Sequence, residues 1–565
     1  MPSTTLSAQR LRAVLSAALA GLAAATAASA QLGTEAVSGP HGPPVETPPG
    51  WYSGDMHIHM QPCTSPVNMS MHEVYVELLA RDLDIGAVQL WGSRWAPADY
   101  FLAHYVPMVT GLEDPASDAA HRLQFGIEVS GFPASQFGHI QLIDTSQGAF
   151  QMEALYPGKI LDRYLDALTG YAHVQWYESY DPVPFYGGVN GCYMAPIDAA
   201  VGAIDYIETT RVEPDPGLGQ ITWRGLYYKL LNAGLRVSLA AGSDNTCFIT
   251  DIGDSRTYAL LGPEPLSFGA WCDAIEAGRT SVSAGPDRFL DLEVQGTGIG
   301  GQLVLPGPGA VEVTATLSVR AGVSDSGWLH LVQDGQDAAV VAYALPAGGT
   351  RQVRASLQVE KSGWLAARND PGAHTAAIFV IVGDRPIASA VDAQYWMDYC
   401  DLLESNIGSF EVPSAQAEIV ERIQAARQVY EALGNCDLPL PAGVSAYGSS
   451  TPSCQGPIAI GLVESPGRGL ALTCVNAPPG AQGLLVIGTT ADPAGEELLG
   501  FSLLIDQDAP YLTIPIQATQ AGYAKVPSPL PAAKRFVAQF VWADERDCGP
   551  VGPLCASNGL DVDPR

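Results

Sequence analysis

The chain has 565 residues, 47% of them hydrophobic and only 15% charged, with 60 Gly and 43 Pro. That apolar content fills real cores and excludes disorder throughout, the length suits three or four domains, and the many turn formers point to a loop-rich, strand-rich protein rather than a helical bundle or coiled coil. The formal net charge of −31 becomes −33 once Arg10 and Arg12 are set aside, and no Lys/Arg cluster offsets it, which argues against partners with phosphate backbones or anionic lipid headgroups.

Residues 1–30 read as an export signal. Arg10 and Arg12 precede an Ala/Leu-rich run from Val14 to Ala27, and Ala28-Ser29-Ala30 offers a small-residue cleavage site before Gln31. The expected location is periplasmic or extracellular, with no membrane insertion after cleavage; an uncleaved anchor is the alternative, for which the apolar run is short. All 10 Cys follow the signal, so in an oxidising compartment disulfides are the default expectation. Cys454 with Cys474, and Cys548 with Cys555, are the nearest candidate pairs.

Residues 31–50 form a Pro/Gly linker. From Trp51 onward, short apolar runs alternate with amphipathic stretches: strand-like Met56–Met60, helix-like Met71–Asp82, then strand-like Ile85–Trp91, Phe125–Val129 and His139–Ile143. This alternation predicts a parallel α/β domain over 51–288. After Pro286 the texture becomes all-β. Phe289–Val294, Val311–Val319, Trp328–Gln333, Arg351–Val359 and Ala376–Val382 alternate apolar and polar residues, which predicts a β-sandwich over 289–395.

The GTGIGG run at 296–301 spells a dinucleotide fingerprint, but Leu303 to Gly307 cannot open the helix that would hold a pyrophosphate, so it reads as a sandwich turn. A helical connector is expected over 396–435. It carries Ser414 as N-cap, Ile419, Ile423, Ala426 and Tyr430 on one face, and Gly434 past its end. A further Gly/Pro-rich β module fills 439–565.

Eight of the ten His lie between positions 41 and 173. The sharpest signal is GDMHIHM at 54–60. On a strand, His57 and His59 point to one face and Met56, Ile58 and Met60 to the other, so two imidazoles aim at one spot, either as a metal site or as a hydrogen-bonded pair. Glu128, His139, His173 and Asp244 each stand at the edge of an apolar run. At the rim of a (β/α) barrel such residues converge; as isolated features they are loop carboxylates, packed histidines or caps.

Together these residues resemble the PHP (polymerase and histidinol phosphatase) metallohydrolases, and in particular their exported CehA/McbA branch, named for a carbaryl hydrolase. The resemblance covers roughly residues 51–290. GDMHIH is similar to the first PHP motif, GIEV (126–129) and GHIQLI (138–143) to the branch's Glu and Gly-His motifs, YAHV (171–174) to its Ala-His-Pro motif, AAGSDN (240–245) to its Gly-Ser-Asp-x-His motif, and GRTSVSAGP (278–286) to the segment that closes the domain. Three positions depart from the pattern: QLWG at 89–92 replaces Thr-Asp-His, Val174 replaces a Pro, and Thr246 replaces the last His.

The resemblance implies a distorted (β/α)7 barrel followed by β-sandwich, helical and C-terminal β-sandwich modules. It also implies up to three metal ions, and the missing residues belong mainly to the third. What remains is His57, His59, Glu128 and Asp244 around one ion, and Glu128, His139 and His173 around another. Such a donor set suits Zn²⁺ first and Mn²⁺ or Fe²⁺ next, ahead of Ca²⁺ or Mg²⁺.

The expected activity is hydrolysis of a small-molecule ester, phosphoester, carbamate or amide by a water activated between two ions. Asp244 and Glu128 are the catalytic carboxylates, Asp244 as proton acceptor, and Arg94 and Arg279 are candidates for stabilising the oxyanion, with surface or interdomain ion pairs as their alternative role. Trp51, Trp91 and Trp95 are candidates for a pocket wall or for core packing. The rival class is a non-catalytic surface or carbohydrate-binding protein with a degenerate barrel, which would make contact through its C-terminal module.

Overall fold

The computed structural model describes residues 45–60, 69–93, 108–130, 132, 137–146, 155–174, 192–210, 212, 223–245, 250–370, 372–410, 412–465, 469–528, 534–544 and 553–563. Arg94, Trp95 and Thr246, and the signal-like residues 1–30, lie outside them. No described helix is long and apolar enough to cross a membrane.

The first half runs β1 (Trp51–Ile58), α1 (Met71–Arg81), β2 (Ile85–Ser93), β3 (Arg122–Ser130), β4 (Ile140–Ile143), α2 (Gly158–Leu161), β5 (Leu168–Tyr171), α3 (Ala195–Ala200), β6 (Tyr206–Thr209), α4 (Trp223–Asn232), β7 (Ser238–Ala241), β8 (Ser255–Leu260), α5 (Phe268–Glu276) and β9 (Thr280–Ala284). Helix α1 starts at a capping box: the Glu73 N–H donates to Ser70 Oγ, and Ser70 N–H donates back to Glu73 Oε2 at 2.6 Å. Val74 and Leu78 on its inner face are fully buried.

The strands follow the spatial order β9-β8-β1-β2-β3-β4-β5-β6-β7. Where a parallel α/β domain is expected, the sheet is mixed. Strands β1, β2 and β3 are mutually parallel, as are β5, β6 and β7, but β4 is antiparallel to both of its neighbours and β8 to both of its own. The chain between Ser130 and Ile140 is too short for the crossover of a dozen or more residues that a parallel connection needs, so β4 must return antiparallel.

Among the described residues the sheet does not close through a ladder; the gap from β7 to β8 and β9 is bridged by side chains. Thr257 Oγ1 accepts from Ala241 N–H at 2.7 Å and donates to Ala241 O at 2.9 Å, while Thr280 Oγ1 donates to Leu239 O at 2.6 Å.

The same sheet continues into the second half. Strand β9 pairs with the short strand 373–375, which pairs with 363–370, so sandwich strands extend the first sheet. A second sheet of 288–294, 297–298, 309–319 and 350–359 packs against it. One apolar core runs unbroken from Val45 through Trp364 to Leu433. The 296–301 run makes the hairpin expected of a sandwich turn, with Gly296 and Gly300 at positive φ. Ser-Gly-Trp-Leu occurs twice, at 326–329 and 362–365, on antiparallel neighbours with opposite outcomes: Trp328 is 54% exposed and Trp364 1%.

Two helices follow, α6 (Ala390–Ser405) and α7 (Gln416–Asn435). Helix α7 buries Ile419, Ile423, Ala426 and Tyr430 as its spacing predicts. Its ends differ from expectation. Ala415 is the N-cap and makes no side-chain bond, so Ser414 falls one residue outside. Gly434 lies within the last turn, because a Cβ there would come 2.8 Å from Ala393 Cβ on α6. The C-terminal module, 444–562, has its own core around Leu485, Phe540, Trp542 and Leu560. Both expected disulfides are corrected: Cys454 is disulfide-bonded, but Cys474 and Cys555 are free thiols.

Replacing Thr257 by Val keeps the shape and removes both bonds to Ala241, leaving a buried N–H and C=O unpaired. The loss should be about 1–3 kcal/mol in denaturant unfolding. An unchanged midpoint would mean that the bridge contributes nothing to closing the sheet.

Candidate metal centre

Because β4 runs opposite to β1, β3, β5, β6 and β7, its beginning and their ends meet at one edge of the sheet. His57 stands near the end of β1 and His59 just beyond it, Glu128 near the end of β3, His139 just before β4, His173 two residues past β5, and Asp244 three residues past β7. The register of β1 on β2 slips between Asp55 and Ile58, a bulge that turns the strand end. Consequently Met56 and Ile58 enter different apolar clusters rather than one layer.

All six side chains are brought together. His57 Nε2 lies 3.0 Å from His59 Nε2, and Glu128 Oε2 lies 3.5 and 3.3 Å from these two nitrogens. Glu128 Oε1 faces the other way, 2.7 Å from His139 Nδ1 and 3.4 Å from His173 Nε2, which are themselves 3.1 Å apart. Asp244 Oδ1 is 3.2 Å from His59 Nε2 and 3.6 Å from His57 Nε2. The His57, His59 and Glu128 donors form one group within 4.8 Å, and Glu128, His139 and His173 form another.

The tautomers follow from the other ring nitrogens. His59 Nδ1 faces the Gln89 carbonyl at 3.2 Å, which only accepts; His57 Nδ1 faces both Glu208 Oε2 and the Gln141 amide nitrogen, each at 2.9 Å, and the anionic carboxylate is the stronger partner for the ring hydrogen. The hydrogens therefore sit on Nδ1, and in the neutral rings both Nε2 lone pairs converge. Two lone pairs and a carboxylate oxygen at such distances repel unless a cation lies among them, so the donor set fits a divalent ion such as Zn²⁺.

Without a cation, protons take its place. Burial pushes His57 down, but Glu208, Asp244 and Glu128 outweigh it and hold it well above its ordinary value. For His59 burial is likewise outweighed, by the bonds to Asp244 and Glu128, and its value rises to about 9. Burial would raise Glu128 and Asp244, yet the neighbouring histidines bring both below the usual carboxylate range. His139 moves down, chiefly through burial.

His173 and Asp244 adopt positive φ of 36° and 46°, a backbone region that non-glycine residues avoid and that clusters at functional sites. The surrounding chain holds them there. Asp55 accepts from the N–H groups of His57, Ser243 and Gly253, tying β1 to the loop that carries Asp244. Asn245 clamps His59 at both backbone groups, accepting from its N–H at 2.6 Å and donating to its carbonyl at 3.1 Å.

One expectation fails, and one of two alternatives is chosen. Arg279 precedes β9, and its carbonyl pairs with Leu260, which stands opposite Trp51 at the start of β1. This is the far end of the sheet, about 20 Å along the strand from His57, and the Arg279 side chain donates to Leu260 O. Trp51 is buried at that same end against Phe289, with ring centroids 5.0 Å apart, so it is a core residue. Three site residues escaped the sequence reading: Glu208, Gln141 and Asp55. Glu208 sits in YIET (206–209), a four-residue strand too short to register as one; a lone carboxylate ending an apolar run was its only signal.

No family model and no curated protein matches the chain. Among solved structures it is similar to a two-domain protein from Bacteroides vulgatus ATCC 8482 containing a predicted PHP-like metal-dependent phosphoesterase, at 13% identity over 61% of this chain and 97% of that one, TM-score 0.33. It is also similar to a β-glucosidase from Listeria innocua in complex with glucose, at 14% identity over 17% of this chain and 16% of that one, TM-score 0.13.

The raised histidines set a pH dependence for metal-free protein. A folded-state value above the unfolded 6.5 contributes stability that is complete below 6.5 and disappears as pH rises through about 9. The thermal midpoint of chelator-treated protein should therefore fall across that interval, whereas metal-loaded protein, whose ligands must be deprotonated, should hold or gain. Identical pH profiles with and without chelator would contradict this account.

Proposed function

We propose that the chain is an exported metal-dependent hydrolase of the PHP type, cleaving an ester, phosphoester, carbamate or amide bond with two divalent ions that share Glu128. The observation that carries the reading is the division of that one carboxylate, with Oε2 toward the His57/His59 pair and Oε1 toward the His139/His173 pair. His57, His59, Asp244 and Glu128 would hold one ion, and Glu128, His139 and His173 the other. Zn²⁺ is the first choice, then Mn²⁺ or Fe²⁺. When bound, such a pair supplies a water acidic enough to attack at neutral pH and a Lewis acid for the carbonyl or phosphoryl oxygen.

The chain's own residues supply the rest. Asp244, kept ionised by His57 and His59, is the proton acceptor for the attacking water. The His57 and His59 imidazoles are fixed from behind by Glu208 and the Gln89 carbonyl, so little reorganisation of that pair accompanies the reaction. Where the resemblance leads one to expect ligands for a third ion, Gln89 instead donates to Met56 O at 3.0 Å, which favours two ions over three. Arg94 remains a candidate for oxyanion stabilisation. The −31 charge favours neutral or weakly charged small substrates over nucleic acid. The C-terminal module is proposed to contact carbohydrate or the cell surface.

Elemental analysis of the purified chain should find about two divalent ions per molecule. His139→Ala should lower that to about one and bring turnover of activated aryl or phosphate esters below detection. A metal-free wild-type protein would end the proposal. Full metal content with no turnover across a broad panel would favour the non-catalytic binding protein.

A further inference from the structure

We infer that Glu208 is a positioning residue for both ion positions at once, holding the His57 ring at one and the His173 backbone at the other. The inference rests on the two-ion reading proposed above and adds a carboxylate that ligates neither ion. Glu208 is fully buried at the end of β6. Its Oε2 accepts from His57 Nδ1 at 2.9 Å and from the His173 backbone N–H at 2.9 Å. Its Oε1 accepts from Gln141 Nε2 at 3.3 Å, and Gln141 Oε1 accepts in turn from the Tyr206 hydroxyl at 2.6 Å.

Each contact has a distinct effect. The bond to His57 puts the hydrogen on Nδ1, leaves Nε2 as the donor to an ion and raises its basicity, as carboxylates behind metal-bound histidines do. The bond to His173 N–H holds a residue whose φ of 36° would otherwise relax, and with it the aim of the His173 ring. A single rigid group thus sets one imidazole of each pair. The carboxylate in turn has little freedom: a Cβ at Gly242 would lie 2.4 Å from Glu208 Oε1 and 2.5 Å from His57 Cβ, so the chain passes close behind both and only glycine fits there.

The test uses the full chain stripped of metal, with the variants Glu208→Gln and Glu208→Asp. Gln keeps the shape and an acceptor but removes the charge. Asp keeps the charge on a shorter stem. Zn²⁺ affinity is read by competition with a chelating dye, and ligand geometry by the visible absorption of Co²⁺-loaded protein. Glu208→Gln should keep the circular dichroism of the wild type, weaken both binding steps by about 10- to 100-fold and shift the Co²⁺ spectrum. Glu208→Asp should recover part of the affinity, which keeps the test readable if the Gln variant folds poorly.

Wild-type affinities and an unchanged Co²⁺ spectrum in both variants would overturn the inference and leave the two-ion reading intact. Weakening of one step alone would overturn the claim that Glu208 serves both positions. A wild type that binds no Zn²⁺ would overturn the two-ion reading and this inference together.

Discussion

Three carboxylates, Glu128, Glu208 and Asp244, are withdrawn from water at one end of a sheet, and every ion pair they make among the described residues is with a histidine. Each buried carboxylate loses several kcal/mol of hydration. A protonated imidazole at about 4 Å returns roughly 4 kcal/mol at an effective dielectric of 20, so protonated histidines can offset the burial only by crowding positive charges against one another. His57 and His59, 3.0 Å apart at Nε2, show that crowding. A divalent cation removes the conflict, because one ion satisfies two imidazoles and a carboxylate without placing two hydrogens face to face. The fold around this edge reads as the set of constraints that keeps such a concentration of charge in place until the cation arrives.

Those constraints come from strand direction. Were β4 parallel to β3, its first residue would lie at the opposite end of the sheet and His139 would be about 13 Å from Glu128. The short connection after Ser130 forces the reversal and so delivers His139 to the edge where the other strands finish. The bulge at Asp55–Ile58 and the Asn245 clamp do the same for His59, which stands beyond the last paired residue of β1 and would otherwise fray. The β-rich half is part of this support, since β9 lies between β8 and the strand at 373–375 and the core passes through it without a break.

Much of this was legible in the sequence because it was written at short range. The alternation in GDMHIHM, the edge positions of Glu128, His139, His173 and Asp244, and the buried face of α7 all follow from periodicities of two or 3.6 residues. What stayed hidden depends on distant partners. Glu208 matters only because β6 lies beside the strands that carry His173 and Asp244, and YIET has no local pattern to say so. Arg279 looked like a rim residue because it opens a motif-like segment, but strand direction puts it at the far end. The cysteine pairs proposed from proximity in sequence failed because Cys474 and Cys555 are taken up as buried free thiols in the module core. The helical connector expected over 396–435 takes in most of α6 but misses its start at Ala390, because its apolar residues do not form a clean stripe, its burial being supplied by α4 and α7 together.

On the two-ion reading, the two positions cannot be energetically independent. Glu128 belongs to both donor groups, so an ion at the first fixes the carboxylate plane and removes part of the ordering cost at the second. It also drives the proton from His57, whose positive charge helps to hold Glu128 ionised and adds to the repulsion on His139. The first effect favours the second ion through geometry and the second through charge, while direct repulsion between the cations opposes both. A shared, fully ionised carboxylate is the group best able to screen that repulsion, since it places one oxygen against each ion. By linkage, whatever advantage the first ion confers on the second is returned equally. On that reading, loss of either imidazole pair would change the affinity of the pair that is kept by this same coupling, downward where the shared carboxylate outweighs the repulsion between the cations.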